Sequence, residues 1–292
     1  MVTEMRYDHL IQNYYPTLTR SEKKVADYVL KVGSQLMYAT MSDIKAATKV
    51  GDATIIRFCQ KLGYSGFSDF KIEIAKEDFT QQEQTRPADY YDDISQHLQE
   101  ALTATAKLID PEKLAQAVDL LSQAQNVYIF GVGGSAQTGA SFAAILLRVG
   151  VQATPVGDPH IQAQLASLLG PTDLVIGLSL SGRTKDTTDS LKIAKDNGAK
   201  VLAITNNLNS PVAQLGNVIL QTAIEEFLNG GSVAGRISQL YICDVLTQGY
   251  ENRNKVDAVA LREKVLRSII DKRLDWSVRC YWLLPIYIEN ER

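Results

Sequence analysis

Five short apolar runs, at 127–130, 151–156, 174–178, 201–205 and 218–220, constrain this chain more than any other feature. Each has the length and composition of a buried strand. Segments with helical spacing lie between most of them, and two of these end in glycines, Gly150 and Gly198, before the next run begins. Strands and helices alternate in this way in an open parallel sheet covered on both faces. Such a sheet takes its ligands at the carboxyl ends of its strands, where the order of strands reverses. Two loops stand at such ends.

The first loop, Gly131-Val132-Gly133-Gly134-Ser135-Ala136, follows the first run and opens a helical segment. Its small residues let a phosphate approach helix-terminal amides. The same loop also satisfies a dinucleotide fingerprint, with Ala136 in place of the last glycine and Asp158 at the distance of a ribose-binding acid. Against a dinucleotide, Gly157 and Pro159 flank Asp158 and predict a turn there. No cofactor is expected.

The second loop is Ser179-Leu180-Ser181-Gly182-Arg183-Thr184. Ser179, Ser181 and Thr184 bring hydroxyls and Gly182 exposes backbone amides at a helix start, a combination suited to one compact phosphate dianion. The plainer alternative is that Ser181 only caps the helix that Thr184 begins. Pairing with Ser135 on the neighbouring loop favours the anion.

The first eighty residues are of a different kind. Thr19-Arg20-Ser21-Glu22 has capping-box spacing, Val25, Ala26, Val29 and Leu30 follow on one face, and Gly33 is placed to end that helix. Ser42 is expected to cap a short helix containing Ile44, Ala46 and Ala47, and a break at Lys49-Val50-Gly51 leads into a second helix over 52–62. This is helix-turn-helix spacing. In that reading Ala47 permits close approach of the two helices, Val50 fills the space between them, and Ile55, Phe58 and Leu62 anchor the second. Thr54, Arg57 and Lys61 then form a free face, flanked by Lys45 and Lys49, with donors for base edges and phosphates.

The run TIIRFCQKLGYSGFSDFK, residues 54–71, closely resembles the N-terminal domain of the RpiR family of bacterial transcription regulators, in which a helix-turn-helix precedes a sugar-isomerase-type (SIS) domain. GVGGS, SLSGRT and ITNNLNSPVAQLGNVIL are in turn similar to the SIS domain, a phosphosugar-binding fold. The resemblance implies an all-α DNA-binding domain at 1–78 and a three-layer α/β, flavodoxin-like SIS domain at 93–250. The polar, glutamine-rich stretch interrupted by Pro87 predicts a linker at 79–92, and a C-terminal helix and tail at 251–292 follow, the tail without a family counterpart. The sugar phosphate is expected at Gly133, Gly134, Ser135, Ser179, Ser181, Gly182 and Thr184, the four hydroxyls being those the resemblance assigns, and DNA is expected at Lys45, Lys49, Asp52, Thr54, Arg57 and Lys61 of the helix-turn-helix. Two departures stand out: Gly51 and Asp52 where the family usually caps the recognition helix with serine, and Asn217 where many relatives carry aspartate.

The expected function is a transcriptional regulator of sugar-metabolism genes, homodimeric or homotetrameric, whose DNA binding responds to a phosphorylated sugar. The competing function is a phosphosugar isomerase whose N-terminal helices only assemble the oligomer. An isomerase needs a general base, and Glu225, Glu226 and His160 are the candidates. A net charge of -3 gives no global attraction to nucleic acid, so a DNA-binding surface must be local. Cys59, Cys243 and Cys280 are odd in number and far apart, which predicts reduced thiols in a cytoplasmic protein and no metal site. No basic-then-apolar leader opens the chain, and the apolar run at 280–288 is too short to cross a membrane. A helix over 258–274, with Leu261, Val265, Leu266 and Ile269 on one face, is expected ahead of an aromatic tail.

Overall fold

The computed structural model describes residues 6–84, 90–223 and 233–270. The N-terminal part is helical: α1 (Tyr7–Tyr14), α2 (Arg20–Val32), α3 (Met41–Thr48), α4 (Asp52–Lys61) and α5 (Phe67–Gln84). The capping box at the start of α2 forms as its spacing predicts. The Glu22 carboxylate accepts the Thr19 amide at 2.8 Å, and Thr19 Oγ1 accepts the Glu22 amide at 3.3 Å. Val25, Ala26 and Val29 are buried, and Gly33 ends the helix at φ 57°.

The cap of α3 is Thr40, two residues before the expected Ser42. Thr40 and Asp43 make a second capping box, in which the Asp43 carboxylate accepts from the Thr40 amide and hydroxyl, both at 2.7 Å. Lys49 then turns the chain at φ 57° and ψ 34°, and Gly51 enters α4 without a side-chain cap. Val50, Ile55, Phe58 and Leu62 pack as expected, in a core with Ile11, Ile44, Phe70 and Ile74. The Phe58 and Phe70 rings meet edge to face at 6.0 Å. Each such fully buried side chain contributes about 1.5–3 kcal/mol. Ala47, however, is exposed; Thr48 takes the inward position and returns its hydroxyl to the Ile44 carbonyl at 2.7 Å.

The glutamine-rich stretch expected as a linker is largely helical. Glutamine is a good helix former, and α5 continues through it to Gln84 while α6 (Tyr90–Lys107) resumes shortly after. Pro87 lies outside the described residues.

Beyond α6 come α7 (Pro111–Gln123), β1 (Asn126–Phe130), α8 (Gly134–Leu147), β2 (Ala153–Val156), α9 (Pro159–Ala166), β3 (Asp173–Leu178), α10 (Lys185–Asp196), β4 (Lys200–Thr205), α11 (Pro211–Leu215), β5 (Val218–Gln221), α12 (Val233–Asn254) and α13 (Ala258–Ile269). The five strands match the five apolar runs. They pair in parallel in the order β2-β1-β3-β4-β5, with every residue of the central β3 buried. One face packs Val118, Phe142, Leu146 and Ile242 of α7, α8 and α12; the other packs Ala166, Leu191, Ala194 and Val212 of α9, α10 and α11. The result is the expected three-layer α/β domain.

Asn217 has a structural task at the start of β5. Its side-chain oxygen accepts from the Val201 amide at 2.8 Å, and its own amide donates to the Val201 carbonyl at 2.7 Å, which fixes the edge strand to β4. The last described helix, α13, covers 258–269 of the expected 258–274, and residues 271–274 lie outside the described residues. Leu261 is half-buried beside Gly150, and Val265 and Leu266 are exposed. The aromatic tail lies outside the described residues. Among the described residues no helix is long and apolar enough to cross a membrane, and no cluster of ligands for a metal ion occurs.

Candidate functional site

Two surfaces carry the chemistry. The first is α4, whose inward side is fixed by Ile55, Phe58, Cys59 and Leu62. Asp52, Ala53, Ile56, Arg57 and Gln60 lie exposed, and Thr54 is half-buried. The sequence reading anticipated Arg57 and Asp52 on this surface but missed Ile56 and Gln60. An exposed isoleucine and a glutamine one turn apart suit contact with a thymine methyl and with an adenine edge. Lys45 on α3 lies 3.1 Å from Asp52, an exposed ion pair at the mouth of the turn.

Lys61 does not belong to that free surface. Its ammonium donates to the Thr17 carbonyl at 2.7 Å and to the Glu22 carboxylate at 3.2 Å, tying the end of α4 to the start of α2. Burial pushes the Glu22 carboxyl up, but the Thr19 amide and the Lys61 ammonium outweigh it and hold the group below its ordinary value. Helical spacing alone put Lys61 beside Arg57; the contact with α2, far away in the chain, turned it inward.

The second surface is the crevice at the carboxyl ends of β1 and β3. The chain leaves β1 for β2 on one side and returns to β3 on the other, so the order of strands reverses here. Phe130 is paired with Gly177, and the two glycine- and serine-rich loops therefore leave neighbouring strands side by side.

The first loop is tight. A Cβ on Gly131 would lie 3.0 Å from the Ser135 carbonyl group. The buried Gln162 of α9 braces the loop from below by donating to the Gly131 and Val156 carbonyls, both at 2.8 Å. Gly133, at φ 58°, enters α8 with no side-chain cap. Ser135 is half-buried, and Gln239 Nε2 of α12 donates to its Oγ at 3.2 Å.

The second loop is held just as firmly. Ser179 is buried; its Oγ accepts from the Gly182 amide at 3.1 Å and lies 3.2 Å from Thr184 Oγ1. Thr205 Oγ1 and the Asn206 amide both donate to the Leu180 carbonyl, at 3.1 and 2.8 Å, and the Val212 amide donates to the Gly182 carbonyl at 3.1 Å. Gly182 has φ 66°, and a Cβ on it would collide with the Ser210 side chain. Ser181 is exposed, and its Oγ accepts from the Arg183 amide at 3.2 Å. The three hydroxyls thus divide: Ser179 sets the shape of the turn, the half-buried Thr184 lies against it, and Ser181 is exposed.

Helix ends sharpen the picture. Asp110, Asp158 and Ser210 cap α7, α9 and α11 with their side chains, yet α8 and α10, the two helices that open at the crevice, have no side-chain cap. Uncapped amides at a helix start, with the positive end of its dipole, favour an anion. Asp158 is occupied as the cap of α9, accepting from the Ile161 amide at 2.9 Å, as the flanking glycine and proline foretold.

Sequence reasoning missed α12 altogether. Gln239 touches Ser135, and Arg236 lays its stem over Gly134 and donates to Gln137 at 2.8 Å. No local motif signals residues that meet a loop about a hundred positions earlier in the chain. Of the expected bases, His160 is exposed at the start of α9, and Glu225 and Glu226 lie outside the described residues.

Comparison with known proteins covers both parts of the chain. A model of the helix-turn-helix domain of the rpiR family matches residues 5–81, and a model of the SIS domain matches residues 120–248. The chain is 34% identical to an HTH-type transcriptional regulator of Haemophilus influenzae over 281 residues, covering 90% of this chain and 96% of that protein. It is 30% identical to the HTH-type transcriptional regulator RpiR of Escherichia coli, covering 78% and 80%. Among solved structures, the NanR protein of Vibrio vulnificus complexed with ManNAc-6P superposes with a TM-score of 0.77 at 28% identity, covering 91% of this chain and 99% of that one.

Proposed function

The chain belongs to the rpiR family of helix-turn-helix transcriptional regulators with a SIS domain, and we propose that it binds operator DNA through α4 under the control of a phosphorylated sugar held between the β1 and β3 loops. The observation that carries this reading is the pair of uncapped helix starts, α8 and α10, at the switch point, with Ser135 in the first turn of α8 and Ser181 and Thr184 in the loop that enters α10. That arrangement holds a dianion. The loops themselves, residues 131–136 and 179–184, contain no carboxylate or imidazole to move a proton, so the same clamp serves a sensor better than an isomerase. NanR complexed with ManNAc-6P supports a sugar phosphate as the ligand class.

At the other end, Lys45 and Lys49 approach phosphates, and Arg57, with Thr54, Ile56 and Gln60, meets base edges in the major groove. A single short recognition helix reads only a few base pairs. The protein therefore acts as a homodimer or a higher symmetric oligomer that presents paired helices to half-sites about one helical turn, roughly 34 Å, apart.

The experiment is a split of functions by substitution. Ser181→Ala lowers the affinity for sugar phosphates and leaves DNA binding by the unliganded protein intact. Steady conversion of an aldose phosphate to its ketose phosphate by the purified chain, lost in Ser181→Ala and accompanied by no DNA binding, would replace the sensor with an enzyme.

A further inference from the structure

Arg183 leaves the β3–α10 turn and reaches the DNA-binding domain. Its Nη2 lies 3.2 Å from Oδ2 of Asp43, 140 residues earlier in the chain, with both side chains partly exposed. Asp43 is not a loose surface carboxylate. The same oxygen accepts from the amide and the hydroxyl of Thr40 and so closes the capping box that starts α3, the first helix of the helix-turn-helix. Burial pushes the Asp43 carboxyl up, but the Thr40 donors and the Arg183 guanidinium outweigh it and hold the group below its ordinary value. Lys71 of α5 completes the cluster: its ammonium donates to the Ala39 carbonyl, next to the cap, at 2.8 Å. Desolvation and then the Arg183 charge lower the pKa of Lys71, while Asp43 opposes them.

At its other end Arg183 is part of the anion turn. Its amide donates to Ser181 Oγ, and it directly precedes Thr184, the residue that enters α10. One residue therefore has its backbone in the proposed phosphate site and its side chain on the cap of a DNA-binding helix.

We infer that Arg183 is the exchange point between the two domains: a phosphate dianion seated in the turn takes the guanidinium from Asp43 and frees α3 from the sensor domain. This rests on the reading of the turn as a phosphate site. A guanidinium satisfies one oxyanion well, and phosphate is its better partner when the competing carboxylate already has two other donors. Asp43 keeps its Thr40 bonds after the exchange, so α3 keeps its cap but loses its tether to the sensor domain, and its local opening becomes easier. The coupling is reciprocal. Whatever the ion pair contributes to holding α3 must be given up when the anion binds, and removing the Asp43 charge must tighten anion binding by the same factor. For a partly exposed pair that factor is about two- to fivefold.

The test uses the full chain, with inorganic phosphate and glucose 6-phosphate as probes, titrated by calorimetry. Asp43→Asn keeps an acceptor for Thr40, and it binds the probes about two- to fivefold tighter than the natural chain. Arg183→Gln binds them more weakly, and adding Asp43→Asn to it changes nothing further. An unchanged affinity in Asp43→Asn overturns the inference, and so does an equal gain in the Arg183→Gln background. Hydrogen exchange of the α3 amides gives a second measurement that does not depend on how well Asp43→Asn folds. Phosphate speeds exchange in α3 of the natural chain, whereas Arg183→Gln exchanges fast with or without it. Bound phosphate that leaves α3 exchange unchanged refutes the switch while sparing the site. Failure of the natural chain to bind either probe refutes the phosphate site itself, and the switch with it.

Discussion

Replacing Gly182 by alanine tests the architecture of the proposed phosphate turn with one methyl group. The residue sits at φ 66°, where a side chain costs about 1–2 kcal/mol of backbone strain. The added Cβ also meets the Ser210 side chain and comes within 2.7 Å of Thr205 Oγ1. Neither neighbour is free to retreat, because Ser210 Oγ accepts from the Ala213 amide to cap α11 and Thr205 Oγ1 donates to the Leu180 carbonyl. Overpacking of this kind costs about a further 1–3 kcal/mol, so the total is roughly 2–5 kcal/mol. Gly133→Ala provides the internal comparison. It sits at φ 58° with nothing within 4 Å of its Cβ, and loses only the strain component. Denaturant unfolding of the full chain should rank Gly182→Ala below Gly133→Ala by at least about 1 kcal/mol. Sugar-phosphate affinity should fall in Gly182→Ala even under conditions where it is folded. Equal stabilities for the two variants, or a Gly182→Ala protein that binds sugar phosphate normally, would refute the claim that the β4–α11 connection sets the shape of the turn.

Other substitutions separate support from contact. Arg57→Ala should abolish specific DNA binding and change stability by no more than about 0.5 kcal/mol, whereas Lys61→Ala should cost about 1–3 kcal/mol because it leaves the buried Glu22 carboxylate without its cation. The Glu22 pKa is lowered in the folded state, so the contribution of the Lys61 contact is present above the ordinary glutamate pKa of 4.5 and is lost as the pH falls through the lower folded value. Unfolding curves of the natural chain and Lys61→Ala, taken from pH 7 to pH 3, should converge at the acid end. Lys49 holds a left-handed conformation that a lysine adopts at a cost. Lys49→Gly should therefore raise stability by about 0.5–1 kcal/mol while weakening DNA binding and reducing its salt slope by about one unit; a slope that does not change would show that Lys49 does not meet a phosphate.

Much of this was legible in the chain. The strands announced themselves because a parallel sheet buried on both faces needs unbroken apolar runs, and the crevice followed because the glycine- and serine-rich loops fall at strand ends. Local capping signals were also readable, although Thr40-Met41-Ser42-Asp43 offers two caps and only the box with Asp43 wins. What could not be read depends on contacts distant in sequence. Lys61 has the same helical phase as Arg57, yet Thr17 and Glu22 claim it. Gln162, Arg236 and Gln239 reach the first loop from helices that carry no motif. Arg183 belongs to no motif that assigns it a role, and its partner Asp43 lies 140 residues away in the chain. Ala47 and Thr48 show the same limit on a smaller scale: a small residue at the expected phase suggested a close helix crossing, while the neighbouring threonine took the buried place by bonding its hydroxyl to its own helix.

The most direct measurement of the central claim is the affinity of the full chain for a labelled fragment of its own promoter, followed by fluorescence anisotropy at fixed salt with and without a panel of sugar phosphates. At least one phosphorylated sugar should shift the Kd by roughly fivefold or more, the range of ordinary allosteric coupling, and the same sugar without its phosphate should not. A promoter affinity that stays constant in the presence of every sugar phosphate shown to bind the protein would contradict the account.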